Sequence, residues 1–343
     1  MMESGALVSI IIPVYNVKPY LAEALDNVLC QTYRNLEILI IDDGSTDGSG
    51  EVCNVYAEKD KRIHVIHQEN RGLSAARNTG LNRMSGEAVA FLDADDAYLP
   101  DYVKRMLDAM IREDVDVVVC RYSLCYTTGK MIYSEQKRAL PRIKAGSYDG
   151  ISSLKALADG AINVNIWNKL YRRELWENTR FPEGHVYEDS EVIYRVFDCC
   201  RNVYVLDDLL YLYRKHSGSI TETCSQQNYN DMMRSQSFME ALVEERIPRI
   251  FSSIHLERRR LARLRKMIRF YLQYSQKSGE GEIEFAKELR EQIIAVGEEY
   301  GIENYGLRTR VVWKMICRCP TLLKTCYAVY VPVWRFYRIY FKS

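Results

Sequence analysis

Three carboxylates fall within four positions of this chain, in Phe91-Leu92-Asp93-Ala94-Asp95-Asp96. Like charges this close repel, and a hard divalent cation supplies the missing counter-charge. Mg2+ or Mn2+ is satisfied by one or two carboxylates together with diphosphate oxygens. The same residues also suit a turn ahead of the helix that Pro100 opens, with Asp96 as its cap. A second acidic pair, Asp42-Asp43, leads into Gly44-Ser45-Thr46-Asp47. It can form a turn and cap the next helix, or recognise a base or ribose from a strand end. A third cluster, Asn70-Arg71-Gly72-Leu73-Ser74-Ala75-Ala76-Arg77-Asn78, offers arginines that clamp a phosphate or pair with the acidic strand ends.

Chemistry of this kind needs elements that deliver the polar residues to one place. Short β-branched runs occur at Leu7–Val14, Leu36–Ile41, Ile63–Ile66, Ala88–Leu92 and Val115–Cys120. Between them lie segments of helical period, the clearest at Lys18–Gln31 with Leu21, Ala24, Leu25, Val28 and Leu29 apolar. The others end near Asp60 or span Leu73–Met84 and Pro100–Arg112. Strand–helix alternation predicts an α/β fold, a mostly parallel sheet flanked by helices. Ligands bind such sheets beyond the carboxyl ends of the strands. Pro13-Val14-Tyr15-Asn16, the Asp42–Asp47 turn and the Asp93–Asp96 run all fall there. Farther on, Tyr187–Cys199 has helical spacing, while Val203–Leu206 and Leu209–Tyr213 read as strands.

Composition narrows the class. A length of 343 residues fits about two units. With 47% hydrophobic and 27% charged residues, the chain is neither disordered, collagen-like nor a many-span membrane protein. A net charge of +1 predicts no nucleic-acid partner. The ten cysteines lack paired zinc spacing and read as reduced thiols in a cytosolic setting. The first residues lack the basic region of a secretory leader, so none is expected, and no apolar run is long enough to span a bilayer. From about residue 228 the chain turns to long charged helices. Residues 246–269 hold nine Arg or Lys against Glu257, and residues 280–303 hold eight Glu against Lys287 and Arg290. After Glu303 come eight cations, no acid, and many aromatics, including Trp313, Trp334, Tyr337 and Tyr340. That mixture predicts peripheral contact of 308–343 with an anionic membrane interface. A helix packed on the catalytic domain with a solvated basic face is the alternative.

In order and spacing, the motifs of residues 7 to about 113 resemble a family 2 glycosyltransferase with the GT-A fold. The residues that carry the resemblance are Val8–Asn16, Gln31-Thr32-Tyr33, Asp42–Asp47, Asn70–Asn78 and Phe91–Asp96. It continues to about 221 through Trp167-Asn168-Lys169-Leu170-Tyr171, the acidic pair Glu188-Asp189, and Tyr213-Arg214-Lys215-His216-Ser217-Gly218-Ser219-Ile220-Thr221. Trp167–Tyr171 is similar to a segment of polysaccharide-assembling members.

The resemblance implies a GT-A catalytic domain over 1–225; composition makes 226–343 a helical, basic and aromatic extension, which matches nothing in the family beyond about 228. It implies metal-dependent, inverting transfer from a nucleotide-diphospho-sugar, with UDP the expected nucleotide, to a growing polysaccharide or lipid-linked oligosaccharide. Asp189 is then the base that takes the acceptor proton. Asp95 holds Mg2+ or Mn2+, and Asp93 and Asp96 bind metal, ribose or donor sugar. Pro13, Tyr15, Asn16 and Asp43 line the nucleotide pocket. Arg77 faces the nucleotide or diphosphate, and His216 and Ser219 meet diphosphate or metal when their loop closes. Trp167 stacks on an acceptor sugar or packs in the core. The expected location is the cytoplasm, at the inner face of the membrane. Two rivals use the same residues: a non-catalytic sugar-nucleotide-binding or scaffold protein, and a nucleotidyltransferase. No Gly- and Lys/Arg-rich triphosphate loop supports the latter.

Overall fold

The computed structural model describes residues 5–126, 143–215, 225–247, 253–277, 279–301 and 307–326. Two compact units divide the chain. One comprises residues 1–220 and 231–250, the other residues 221–230 and 251–343.

The first unit is built on a nine-stranded sheet. Its N-terminal part alternates β1 (Val8–Val14), α1 (Lys18–Leu29), β2 (Leu36–Asp43), α2 (Ser49–Lys59), β3 (Ile63–Gln68), α3 (Leu73–Arg83) and β4 (Ala88–Phe91). These strands lie parallel in the order β3-β2-β1-β4. β1 is buried along its whole length, which is why it reads as a continuous apolar run rather than an alternating one. α1 buries Leu21, Ala24, Leu25 and Val28, the stripe that its period predicts.

Beyond β4 the sheet is mixed. β5 (Ala97–Tyr98) precedes α4 (Tyr102–Glu113), β6 (Val117–Tyr126), β7 (Gly146–Asp149), α5 (Gly150–Ala158), β8 (Lys169–Arg172), α6 (Glu188–Cys199) and β9 (Asn202–Lys215). β8 runs antiparallel to both β4 and β6, and β9 runs parallel to β6. Two sequence segments behave differently from their patterns. α4 starts at Tyr102, because Pro100 belongs to the preceding turn, where its carbonyl accepts from Thr32 N–H at 2.9 Å. The two runs at 203–206 and 209–213 are one strand, β9, with irregular register between Val205 and Leu209. The polar residues in that break have partners: Asp207 pairs with Arg121 at 2.8 Å and Asp208 with Arg105 at 2.7 Å.

The helix α3 packs its glycine against the central strand. A Cβ on Gly80 would stand 2.5 Å from Cγ2 of Ile11, itself fully buried in β1. We expect Gly80→Ala to lower the denaturant midpoint without changing the slope. Overpacking costs about 1–3 kcal/mol, offset in part by roughly 1 kcal/mol of better helix propensity.

α7 (Gln226–Arg246) begins in the second unit and runs into the first from Asp231. The second unit also holds α8 (Ser253–Tyr274), α9 (Glu280–Glu299) and α10 (Leu307–Arg318). Its core includes Tyr229, Phe270, Tyr274 and Phe285, with ring centroids 4.8–5.8 Å apart in edge-on pairs. Arg290 of α9 ties down α10 by donating to the carbonyls of Ile316 and Cys317 at 2.9 and 2.7 Å. Among the described residues no helix is long and apolar enough to cross a membrane. The expected membrane segment 308–343 lies outside the described residues from 327 onward.

Candidate active site

The parallel strands β1, β2 and β4 end at one edge of the sheet, and their polar residues gather there. Asn16, just past β1, adopts a left-handed φ of 50°, a conformation asparagine tolerates better than most residues. Its Oδ1 accepts from Thr46 N–H at 2.8 Å, and its own N–H donates to Ser45 Oγ at 3.1 Å. The ends of β1 and β2 are thereby tied together. Pro13 is buried, and Tyr15 is 49% exposed.

Asp42 and Asp43 are both buried and both engaged. Asp42 accepts from Ser45 N–H at 3.1 Å and pairs with His67 Nδ1 at 2.8 Å. Asp43 accepts from Gln68 Nε2, Arg71 N–H and Gly72 N–H at 2.7, 2.9 and 2.7 Å. Asp43 thus shapes the loop that leads into α3.

Arg77 projects from α3 and is only 1% exposed. Its Nη1 donates to Glu188 Oε1 at 2.8 Å and to Asp189 Oδ1 at 2.7 Å, and its Nη2 donates to Asp93 Oδ1 at 3.0 Å. Its Nε has no partner among the described residues. One buried guanidinium therefore gathers the end of β4 and the start of α6. Three carboxylates around one cation leave a local excess of negative charge. Burial, with Asp95 and Asp189 adding to it, pushes the Asp93 carboxyl up to about 6 against the opposing pull of Arg77. Burial and Asp189 likewise push Glu188 up to about 7. Asp189, at the first turn of α6, has 23% of its side chain exposed.

Asp95 and Asp96 diverge. Asp95 is partly exposed. Asp96, expected at the metal, is 1% exposed and accepts from Tyr211 Oη at 2.6 Å and Arg214 N–H at 2.7 Å. Both of its oxygens are committed to holding the β4 turn onto β9. Burial and the two neighbouring aspartates push its carboxyl well above the ordinary range. Arg214 completes that lock: its Nε donates to the Asp95 carbonyl at 2.7 Å and its Nη2 pairs with Glu23 at 2.5 Å. His216 and Ser219 lie outside the described residues.

Trp167 is 5% exposed and stacks on Tyr211 and Tyr213, with centroids at 4.3 and 5.2 Å. It is therefore core, the alternative weighed against acceptor stacking. Lys169 is fully buried; its Nζ donates to the carbonyls of Asn163 and Asn165 and to Asn168 Oδ1. Desolvation pulls this ammonium down to about 7, opposed by the charge of Asp189. Sequence reasoning gave no role to Lys169, Arg214 or Glu183, which pairs with Arg71 at 2.8 Å and accepts from Asn78 at 3.1 Å. Lys169 and Arg214 stood within quoted motifs. The partners of Arg214 and Glu183 are too distant in sequence for spacing to reveal.

The residues fit a divalent cation of a particular kind. Asp93 and Asp95 are partly exposed at one strand end, which suits an ion that takes its remaining ligands from substrate phosphates. Among the described residues, no group of three or more His, Cys, Asp or Glu is placed to hold a metal ion.

The glycosyltransferase GlyA of Streptococcus pneumoniae is 34% identical over 281 residues, which is 79% of this chain and 38% of that protein's length. S. aureus TarS 1-349 in complex with UDP-GlcNAc superimposes with a TM-score of 0.58 at 20% identity, covering 90% of each chain. The mannosyltransferase PcManGT of Pyrobaculum calidifontis, in complex with GDP-Man and Mn2+, gives 0.51 at 17% identity over 94% of this chain and 87% of its own. Both share the fold. The profile of "Glycosyl transferase family 2" matches residues 9–185, more than half of the chain. The acidic strand ends, the Arg77 cluster and the paired acids of α6 thus belong to a member of glycosyl transferase family 2 with the GT-A fold.

Proposed function

We propose that this glycosyltransferase is a metal-dependent, inverting enzyme that moves a hexosyl or N-acetylhexosaminyl group from a UDP-sugar to a hydroxyl of a growing polysaccharide or lipid-linked oligosaccharide. The observation that carries the proposal is the convergence of Asp93, Glu188 and Asp189 on the buried guanidinium of Arg77. Inversion in one displacement needs a base on the acceptor side and charge neutralisation on the leaving side. Asp189 takes the hydroxyl proton while the acceptor oxygen bonds to the anomeric carbon and the bond to the diphosphate breaks. Arg77 fixes one Asp189 oxygen and holds the base helix to the strand end that carries Asp93.

Asp95 and Asp93 would hold Mg2+ or Mn2+. The chemistry that such a cation supplies is neutralisation of charge growing on the departing diphosphate. Asp96 keeps the turn in place rather than ligating. Pro13, Tyr15, Asn16 and Asp43 form the nucleotide side, where the exposed Tyr15 ring offers a stacking face. His216, outside the described residues, is assigned to the diphosphate or the metal. UDP as the nucleotide is supported by the TarS complex, and a divalent ion by the Mn2+ complex of the mannosyltransferase. The basic, aromatic 308–343 segment rests on the inner face of the membrane, where a lipid-linked acceptor is presented.

The test is nucleoside-diphosphate release from UDP-, GDP- and dTDP-sugars, with Mg2+, Mn2+ or a chelator, and with or without membrane lipid extract. The expected result is UDP release that a chelator suppresses and lipid extract stimulates. Donor binding without release in every acceptor preparation would replace this reading with that of a sugar-nucleotide-binding protein.

A further inference from the structure

The helix that carries Glu188 and Asp189 begins abruptly. Its N-cap residue, Tyr187, has a left-handed φ of 65° and makes no side-chain cap hydrogen bond. A non-glycine residue in that region is kept there by its surroundings. The preceding loop is held from α3, where Asn78 exchanges hydrogen bonds with the Phe181 backbone at 2.9 Å each way. It is also held from its C-terminal side in sequence, by α7. Asp231 of α7 is 8% exposed, and its two oxygens accept from His185 Nδ1 and Val186 N–H, both at 3.1 Å. Arg234, one turn on, donates to His185 Nε2 and stands 3.6 Å from Glu191 of α6. A guanidinium cannot accept, so Nε2 is the acceptor and Nδ1 carries the proton given to Asp231. Farther along, Arg195 of α6 lies over the Phe238 ring of α7 at 4.5 Å, and Arg246 pairs with Asp198 at 2.6 Å. α7 therefore grips α6 from its first turn to its last.

We infer that Asp231 and Arg234 are positioning residues for the acid pair Glu188–Asp189, acting through His185 and Val186. The inference rests on the proposed catalytic reading of that pair. Both residues lie outside the family match, which ends at 185, so this part of the catalytic geometry is supplied by α7. Asp231 holds a backbone amide two residues before Glu188, and a displacement of about 1 Å at a catalytic group costs up to about 100-fold in rate.

The experiment uses the full chain with Asp231→Ala, Asp231→Asn, Arg234→Ala and, as comparator, Arg246→Ala, which breaks a contact between the same helices at their far end. Turnover and donor KM are read from nucleoside-diphosphate release, and amide hydrogen exchange is followed over residues 183–190. Asp231→Ala is expected to lower kcat by about 10- to 100-fold with donor KM changed less than about threefold, and to speed exchange over 183–190. Asp231→Asn, which keeps one acceptor oxygen, is expected to fall between, and Arg246→Ala to match the parent. Unchanged exchange or unchanged kcat in Asp231→Ala overturns the inference, as does an equal loss in Arg246→Ala. Where Asp231→Ala does not fold, Asp231→Asn and Arg234→Ala decide by the same criteria. Asp189→Asn is run in parallel. Full turnover there, with Asp231→Ala impaired, removes the base assignment and leaves the clamp standing. The reverse pattern overturns the clamp alone.

Discussion

Asp189→Asn is expected to lower turnover by about 100- to 10,000-fold, the range that a positioned general base contributes, while donor affinity stays within about threefold. The substitution is nearly isosteric. The amide oxygen can still accept from Arg77 Nη1, which stands 2.7 Å from Asp189 Oδ1, so the anchoring of α6 survives. What is lost is the capacity to take a proton. The loss should therefore fall on kcat, because the interaction removed is made only as the acceptor hydroxyl is deprotonated. Initial rates of nucleoside-diphosphate release, paired with donor titration by calorimetry, separate the two quantities. Full turnover in the variant would take the base away from Asp189 and leave the family membership untouched. A variant that also failed to bind donor would instead place Asp189 in donor recognition.

Much of the scaffold was legible in the residues because burial on both faces leaves a plain signature. β1 is buried throughout, β2 carries the apolar run Ile38–Ile41, and α1 shows its stripe, so the parallel half of the sheet follows from the apolar pattern. The mixed half was less legible. β9 reads as two strands because Asp207 and Asp208 interrupt it, and only the partners Arg121 and Arg105 explain why charged residues sit there. The site divides in the same way. That acids cluster at strand ends is a local fact of sequence. Which acids face outward is not: Asp95 and Asp96 are adjacent, yet Asp96 turns inward to Tyr211 and Arg214, more than 110 positions away. Arg77 offered two readings, phosphate clamp or carboxylate partner. Its burial and its bonds to Glu188 and Asp189 give the second a physical basis. Asp231 carried no motif at all, since its role depends on where α7 crosses the loop before α6.

Arg77→Met is expected to lower stability by about 3–5 kcal/mol at neutral pH, the usual cost of removing one partner from a buried ionic cluster. Methionine fills much of the volume, so the loss is chiefly electrostatic: Asp93, Glu188 and Asp189 are left facing one another with no cation. The sign of the pH dependence follows from the carboxyls. Asp93 and Glu188 stand at about 6 and about 7 in the folded protein, above their ordinary values of 3.8 and 4.5. The native state therefore binds more protons than the unfolded chain between about pH 4 and 7, and these two groups make stability fall as pH rises through that window. Arg77 opposes both shifts. Removing it moves the folded values higher still and extends the window upward. At pH 5 Asp93 and Glu188 are largely protonated with or without the arginine, so its absence costs less there. At pH 8 the variant must either ionise crowded carboxyls or keep protons it would otherwise release. The gap between parent and variant urea midpoints should accordingly widen from pH 5 to pH 8. A gap independent of pH would mean that Arg77 acts by packing, through contacts such as the Phe181 ring 5.2 Å from its guanidinium, rather than as the charge that gathers three acids. Arg77→Lys separates the two further. It restores a cation but not the fork that reaches three carboxylates at once, so it should recover part of the stability at pH 8 and little of the turnover.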